Sequence, residues 1–404
     1  MQTHLVLAAL RKHRLATFLI ALQISLACAV LCNACFLVVQ RLQAMRLDSG
    51  VDETSLATLK LSGFDPKQAS DLNARVVQAL RGVAGVQAVS TVSAVPFGEP
   101  GIRAGVMLDQ EQQRFGGVID FYLGDAGAIQ AFGLRLLSGR LPTPEEYAPV
   151  TQYVPVSPPI LITRTLAERF WPGQNPVGQQ LWTLDTSFRV IGVIDHLSVS
   201  QPGGGEAEDP DWSVFVPALA GSNFAGKYLI RGSPGEMARI VRESNQAVLK
   251  VAPDAVLDPE QSRSVSELRE SYFKSSRVMV SLLIGVVVAL LGTTALGIVG
   301  LASFWVTQRR KQIGIRRALG ASQGDILRYF QIENFIIVTL GIVVGMLLAY
   351  GLNQGLMRVY ELPRLPLWYM PIGAVMLWIL GQLAVLAPAL RASAISPVAA
   401  IRAV

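Results

Sequence analysis

Reactive side chains are scarce in this chain, and their spacing limits what they can do. Histidine occurs at His4, His13 and His196 only. Asp195 and His196 are adjacent, with Ser198 and Ser200 close behind, which are the residue types of a nucleophilic hydrolase. Neighbouring residues at a strand end point apart, however, and no nucleophile motif accompanies them, so an ordinary surface turn is expected. Cys28, Cys32 and Cys35 are the only cysteines and share one apolar run at helical spacing. Thiolates suit soft metals, but no His or carboxylate lies near them in sequence. They are expected to serve as small, polarizable groups at a helix-packing face. No disulfide is then available to the rest of the chain. The sequence contains no G-x-x-x-x-G-K-[ST] phosphate loop, so it lacks the usual backbone cradle for ATP. No cofactor, metal or catalytic residue is expected on this chain.

With chemistry so sparse, composition carries the next step. The chain has 404 residues, of which 51% are apolar and 16% charged, too apolar for an ordinary water-soluble domain. The uncharged stretches explain the excess. Leu15–Val39, Val278–Val306, Asn334–Met357 and Leu367–Leu390 each exceed the about 20 residues that cross a bilayer. Leu15–Val39 is also longer than a signal-peptide core, and the order Ser25-Leu26-Ala27-Cys28 is wrong for a lipoprotein signal. A retained first span is expected. The net charge of +6 does not point to nucleic acid, because residues 40–277 hold 22 Lys/Arg against 26 Asp/Glu, while the remainder holds 13 against 3. Basic residues therefore flank the spans, and the positive-inside rule places the N- and C-termini and residues 307–333 in the cytoplasm.

Residues 307–333 contain Arg309, Arg310, Lys311, Arg316, Arg317 and Arg328 against Asp325 and Glu333. Gly320 suits a helix C-terminus, Ser322 the next N-cap, and Asp325 follows three residues on, as in a capping box. A short second helix is predicted to begin near Gln323. Ile326, Leu327 and Phe330 share one face of it, and that stripe needs a cover, either lipid headgroups or protein.

The run Arg310-Lys311-Gln312-Ile313-Gly314-Ile315-Arg316-Arg317-Ala318-Leu319-Gly320-Ala321-Ser322, then Asp325-Ile326 and Glu333, resembles the signature of the FtsX-type permease domain of MacB-like ABC transporters. The resemblance implies a coupling helix that docks on a cytoplasmic ATPase through Arg316, Arg317, Leu319, Gly320, Ala321, Ser322, Asp325, Ile326, Leu327 and Phe330. One departure is visible. Gln312 stands where the family usually has Glu, which leaves the loop more basic. The ending Ser396-Pro397-Val398-Ala399-Ala400-Ile401-Arg402 also resembles the family's.

Gln40–Arg277 lies between the first and second spans and reads as a large α+β extracytoplasmic domain of two subdomains. Thr54–Gly63, Lys67–Leu80 and Val86–Val95 form a strand–helix–strand pattern. Lys227–Arg231, Pro234–Lys250 and Ala255–Leu257 repeat it, so the two halves are expected to make one split subdomain. Residues 118–217 are expected to be an inserted β-rich subdomain with strands at Ile160–Thr163, Phe188–Ile194 and Val214–Val216. Leu161-Ile162-Thr163, Phe170-Trp171-Pro172, Asn175-Pro176-Val177-Gly178 and Phe188–Val193 resemble the MacB-type periplasmic core. Gln201–Asp211 is predicted to be a mobile loop. Ser264–Arg277 is predicted to lead into the second span as one continuous helix.

Inside the spans, Gly341 and Gly345 form a GxxxG expected to pack one helix closely on another, and Gln23 and Gln382 should face protein or a wet cavity. The resemblance implies an inner-membrane permease with a second permease subunit, an ATPase dimer that binds ATP and Mg, a periplasmic fusion protein and an outer-membrane channel. Membrane lipid is expected around it, and no nucleic acid. Export of a peptide, lipopeptide or antibiotic by mechanotransmission is the implied function. An FtsX-like regulator of a cell-wall hydrolase and a lipoprotein-releasing permease use the same scaffold, although the outer domain's two subdomains resemble the exporter form more.

Overall fold

The computed structural model describes residues 14–150, 152–184, 186–203, 209–360 and 366–394. Arg11 and Lys12, the middle of Gln201–Asp211, and the motif at Ser396–Arg402 lie outside the described residues. Contacts divide the chain into two units, Ala44–Ser275 and the two flanking segments together. The sequence had placed those boundaries at 39/40 and 277/278.

Helix α1 (Arg14–Met45) opens the chain. Strand β1 (Leu56–Ser62), helix α2 (Ala69–Arg81) and strand β2 (Val86–Thr91) follow. Next come β3 (Ile102–Met107), β4 (Phe115–Gly124), α3 (Ala128–Phe132), β5 (Leu136–Gly139), β6 (Ala148–Pro149), β7 (Pro159–Thr163) and α4 (Arg164–Phe170). The chain continues through β8 (Gln180–Trp182), β9 (Ser187–Ile194), β10 (Ser213–Leu219), β11 (Lys227–Gly232), α5 (Met237–Val251), β12 (Val256–Leu257) and α6 (Val265–Tyr272). It ends in α7 (Lys274–Gln308), α8 (Arg310–Ala318), α9 (Gln323–Tyr360) and α10 (Tyr369–Ser393).

Two sequence-distant halves build the first sheet, ordered β12-β1-β11-β2 and antiparallel throughout. Ala57, Leu59 and Leu61 alternate along β1 and meet Leu72, Val76 and Leu80 from α2 and Ile240 and Val248 from α5. The period of two in the strand and of 3.6 in the helices thus converge on one core. Leu56 and Leu229 point the other way and join Tyr122, Phe132 and Phe215 of the second subdomain.

That second subdomain is a small barrel. Strands β4, β3, β8, β9, β7 and β10 are paired in that order, and β10 pairs back onto β4, closing the ring. Val106, Ile119, Phe121, Ile162, Phe188, Val190 and Val214 fill its core. The expected insert at 118–217 begins too late, because β3 and β4 start at Ile102 and Phe115. Gly105, Gly116 and Gly117 interrupt the alternation that would have revealed these strands, and Gly117 has φ +129° with Trp212 against it.

The expected continuous helix into the second span is also corrected. Phe273, at φ −87° and ψ 5°, breaks it between α6 and α7. Its ring is buried against Phe97 and Tyr272, which favours seating the side chain over extending the helix. Arg269 of α6 donates to the carbonyls of Met45 (2.8 Å) and Leu47 (2.6 Å), fixing the chain where it leaves α1.

Helices α1, α7, α9 and α10 are long and apolar enough to cross a membrane. The GxxxG brings α9 onto α1: a Cβ at Gly341 would lie 2.8 Å from Ile24 Cβ, and one at Gly345 would lie 2.5 Å from Cys28 Cβ. Close backbone approach is what small residues permit between spans. Cys28 and Cys32 are buried in this packing, with Cys32 Sγ against Gly373 of α10. Gln23 donates to the Thr293 carbonyl of α7 (3.1 Å), and Asn334 to that of Gly381 in α10 (2.8 Å). The Gln382 Nε2 group is buried with no hydrogen-bond partner among the described residues.

Candidate coupling site

The segment joining α7 to α9 is built from local signals. Arg309 (φ −98°, ψ 9°) breaks α7 from α8. Helix α8 then ends on a Schellman motif, with Gly320 N–H donating to Arg317 O (3.2 Å) and Ala321 N–H to Arg316 O (3.0 Å). Gly320 sits at φ +97°, a conformation glycine adopts without steric cost. Ser322 caps α9: Asp325 N–H donates to Ser322 Oγ (3.2 Å), and Ser322 N–H donates to Asp325 Oδ2 (3.0 Å). This reciprocal pair satisfies two helix-end donors. The predicted short second helix is not separate, because α9 runs unbroken from Gln323 to Tyr360.

Packing changes the reading of the apolar stripe. Ile326 and Phe330 are 3% exposed and form a cluster with Ile313 of α8 and Ala389 and Ala392 of α10, while Leu327 is half-buried at its margin. The two residues expected to fill an ATPase groove are therefore occupied inside the chain. Periodicity identified the buried face, but α10, distant in sequence, covers it.

An ion pair fastens the corner. Arg309 Nη1 lies 2.8 and 3.0 Å from the two Glu333 carboxylate oxygens, and its guanidinium sits 5.5 Å from the Trp305 ring centroid. The Arg309 side chain is 12% exposed and that of Glu333 1%. Removing one member of such a pair strands the other charge and commonly costs about 3–5 kcal/mol. Sequence reading had counted both residues without pairing them. An acid at the edge of an uncharged run was the available signal, since it needs a counter-charge.

What remains outside is a basic face with a small apolar tip. Arg310, Lys311, Arg316 and Arg328 are exposed, and Arg316 stacks 5.0 Å from the Tyr329 ring centroid. Arg317 and Ala321 are half-buried, whereas Gly320, Ser322 and Asp325 are exposed. Leu319 is 83% and Ile315 47% exposed, one helical turn apart. Ile315 was not among the expected contact residues. The outward face of this corner thus combines exposed cations with the apolar side chains of Ile315 and Leu319.

The other candidate chemistry resolves into structure. His196 Nδ1 lies 2.7 Å from Asp211 Oδ1, and its Nε2 lies 2.7 Å from the Asp48 carbonyl oxygen. Ser200 Oγ instead donates to Asp120 (2.6 Å), and Ser198 Oγ to the Val199 carbonyl. Neither of these two serines is therefore poised on the imidazole. Among the described residues, no group of three His, Cys, Asp or Glu could hold a metal ion.

Comparison with known proteins gives two matching family models: the MacB-like periplasmic core domain over residues 17–262 and the FtsX-like permease C-terminal domain over residues 279–397. The macrolide export ATP-binding/permease protein MacB of Acinetobacter baylyi is 27% identical over 205 residues, covering 48% of this chain and 29% of that protein. The uncharacterized ABC transporter permease YknZ of Bacillus subtilis is 23% identical over 243 residues, covering 60% of this chain and 61% of its own length. The solved periplasmic region of MacB from Actinobacillus actinomycetemcomitans overlays with a TM-score of 0.33 at 13% identity, over 57% of this chain and 97% of that one. The chain thus spans from under a third to about three fifths of the length of these two curated relatives. With one family model covering more than half of its residues and a second covering the three C-terminal spans, the chain belongs to the MacB-like, FtsX-type family of ABC transporter permeases.

Proposed function

We propose that this chain is the membrane-spanning subunit that couples ATP hydrolysis on a separate ABC ATPase to movement of its large α+β domain, exporting a peptide, lipopeptide or antibiotic. The observation that carries the reading is the α8 corner. Helix α8 ends on a Schellman motif, the capping box of α9 follows directly, and Arg309–Glu333 fastens its start, yet it presents Ile315, Leu319 and basic side chains outward. A stiff, exposed element of this kind transmits force, whereas a frayed loop would absorb it. Two further assignments rest on the family: pairing with a second permease subunit, and contact with a fusion protein and outer-membrane channel.

Docking is tested by co-purifying the cognate ATPase with Ile315→Asp/Leu319→Asp at matched expression. Apolar residues at an interface centre are commonly worth about 2 kcal/mol or more, so ATPase recovery should fall at least about ten-fold. Both side chains are exposed, and the melting temperature should not change. Phe330→Ala serves as the contrast, lowering the melting temperature because it empties a buried site at about 3–5 kcal/mol. Full ATPase recovery and transport in the Asp double variant would sink the docking assignment.

A further inference from the structure

The barrel carries an opening that its strand pairing leaves unfilled. Strand β4 pairs with β3 along its whole length, from Ile102 to Met107. On the opposite edge β8 joins β3 only at Met107↔Trp182. The chain then turns, Thr183 N–H donating to Thr186 O at 2.9 Å, and β9 departs. Strand β3 therefore outruns its neighbour, and no described residue pairs with the second edge of Ile102–Val106. Alternate residues of an antiparallel strand turn both N–H and C=O toward the same edge, so this stretch presents backbone donors and acceptors in register. Proteins normally cover such edges, because they recruit other strands.

Beside the edge lies a cavity of about 880 Å³, within the range of about 300–1,000 Å³ of ligand sites. Phe121 and Phe188, with ring centroids 5.0 Å apart, line it at the barrel core. Tyr153 and Val156, each 71% exposed, and Leu184, 85% exposed, also line it. Arg103 of β3 lines the same cavity. Its Nε holds Asp120 at 2.7 Å, while its Nη2 is buried without a hydrogen-bond partner among the described residues.

We propose that this seam binds an extended peptide by strand addition, its backbone pairing with Ile102–Val106 and its alternate apolar side chains entering the cavity. Backbone pairing supplies affinity and the pockets for alternate side chains supply selectivity. A compact apolar molecule would use the lining but leave the strand edge unpaired, so the unpaired edge is what favours a peptide. The site stands whether or not α8 docks an ATPase, and its test requires no ATPase.

The experiment uses the full chain in nanodiscs and a synthetic library of short peptides alternating Val, Leu or Phe with Thr or Ser. Retained peptides are identified by mass spectrometry, and affinity is then read by anisotropy of a fluorescein-labelled copy. N-methylation of the alternate amides in one of the two registers should weaken binding at least about ten-fold, and in the other much less. Tyr153→Asp/Leu184→Asp should weaken it similarly without moving the melting temperature. The proposal is overturned if no peptide is retained, if N-methylation in both registers leaves affinity unchanged as for a merely greasy surface, or if the double variant binds normally.

Discussion

At the scale of single residues, His196 is a side chain whose charge the fold controls. Its ring is held between the Asp211 carboxylate and the Asp48 carbonyl, and Asp211 raises its pKa from 6.5 to about 9 against the opposing effect of burial. Gly50 makes the approach possible. It sits at φ +76°, and a Cβ there would come within 2.5 Å of the His196 carbonyl oxygen. A pKa raised on folding means that the folded chain binds the proton more tightly than the unfolded one. The stabilisation is therefore fully present below about 6.5 and is lost as pH rises through about 9. Thermal unfolding of the wild type should show a decline across that window, and His196→Gln should flatten it. A wild-type profile with no loss between those values would mean that the imidazolium pair contributes nothing to the fold. Asp195 turns instead to Arg135 and Arg164, so the adjacent acid and histidine serve different contacts.

Between elements, the Arg309–Glu333 pair joins the break after α7 to the first turns of α9 and so fixes the angle at which α8 leaves. Arg309→Met leaves the buried Glu333 carboxylate without this partner and should lower stability by about 3–5 kcal/mol. Arg309→Met/Glu333→Met removes both charges and should recover most of that loss. Differential scanning of the purified chain reads the two variants, and a double variant no more stable than the single would contradict the pairing. If α8 is the coupling element, the double variant should still fold yet couple less well. Much of this corner was legible in sequence, because caps are local: Gly320 and Ser322–Asp325 specify their own conformations through neighbours two or three residues away. The split first sheet was legible too, since its strand and helix periods survive intact in Leu59, Leu61, Val76 and Ile240. The cover over Ile326 and Phe330 was not, because a stripe encodes a face and not what lies on it. Nor was the ion pair, whose members are 24 residues apart and meet only through the fold. The first barrel strands were hidden by Gly105, Gly116 and Gly117, where backbone approach replaces side-chain alternation.

For the whole molecule, charge and span number must agree on which side each part faces. In the topology we propose, the four helices long and apolar enough to cross a membrane return the chain to the side on which it started, so that the termini and the α7–α9 corner share the cytoplasmic side and residues 44–275 are extracytoplasmic. The absolute sense we propose rests on the basic residues: residues 40–277 hold 22 Lys/Arg against 26 Asp/Glu, and the rest holds 13 against 3. Short loops rich in Lys and Arg are retained in the cytoplasm, while folded domains are translocated largely regardless of their own charge. The corner's Arg310, Lys311, Arg316 and Arg328 are exposed, so they are available to that bias, whereas Arg309 is neutralised by Glu333. In our reading, a cysteine at Gln201 in the large domain labels with a membrane-impermeant maleimide in intact spheroplasts, and one at Gln323 labels only after lysis. The native thiols give a low background, because Cys28 and Cys32 are buried between helices and Cys35 lies in the same span. Gln323 is exposed, and Gln201 is half-buried with one long side-chain hydrogen bond, to the Gly98 carbonyl (3.4 Å), so neither substitution removes a core contact. Labelling of Gln323→Cys in intact cells with protection of Gln201→Cys would invert the topology. It would put the α8 corner out of reach of a cytoplasmic ATPase, and the coupling function would fall with it.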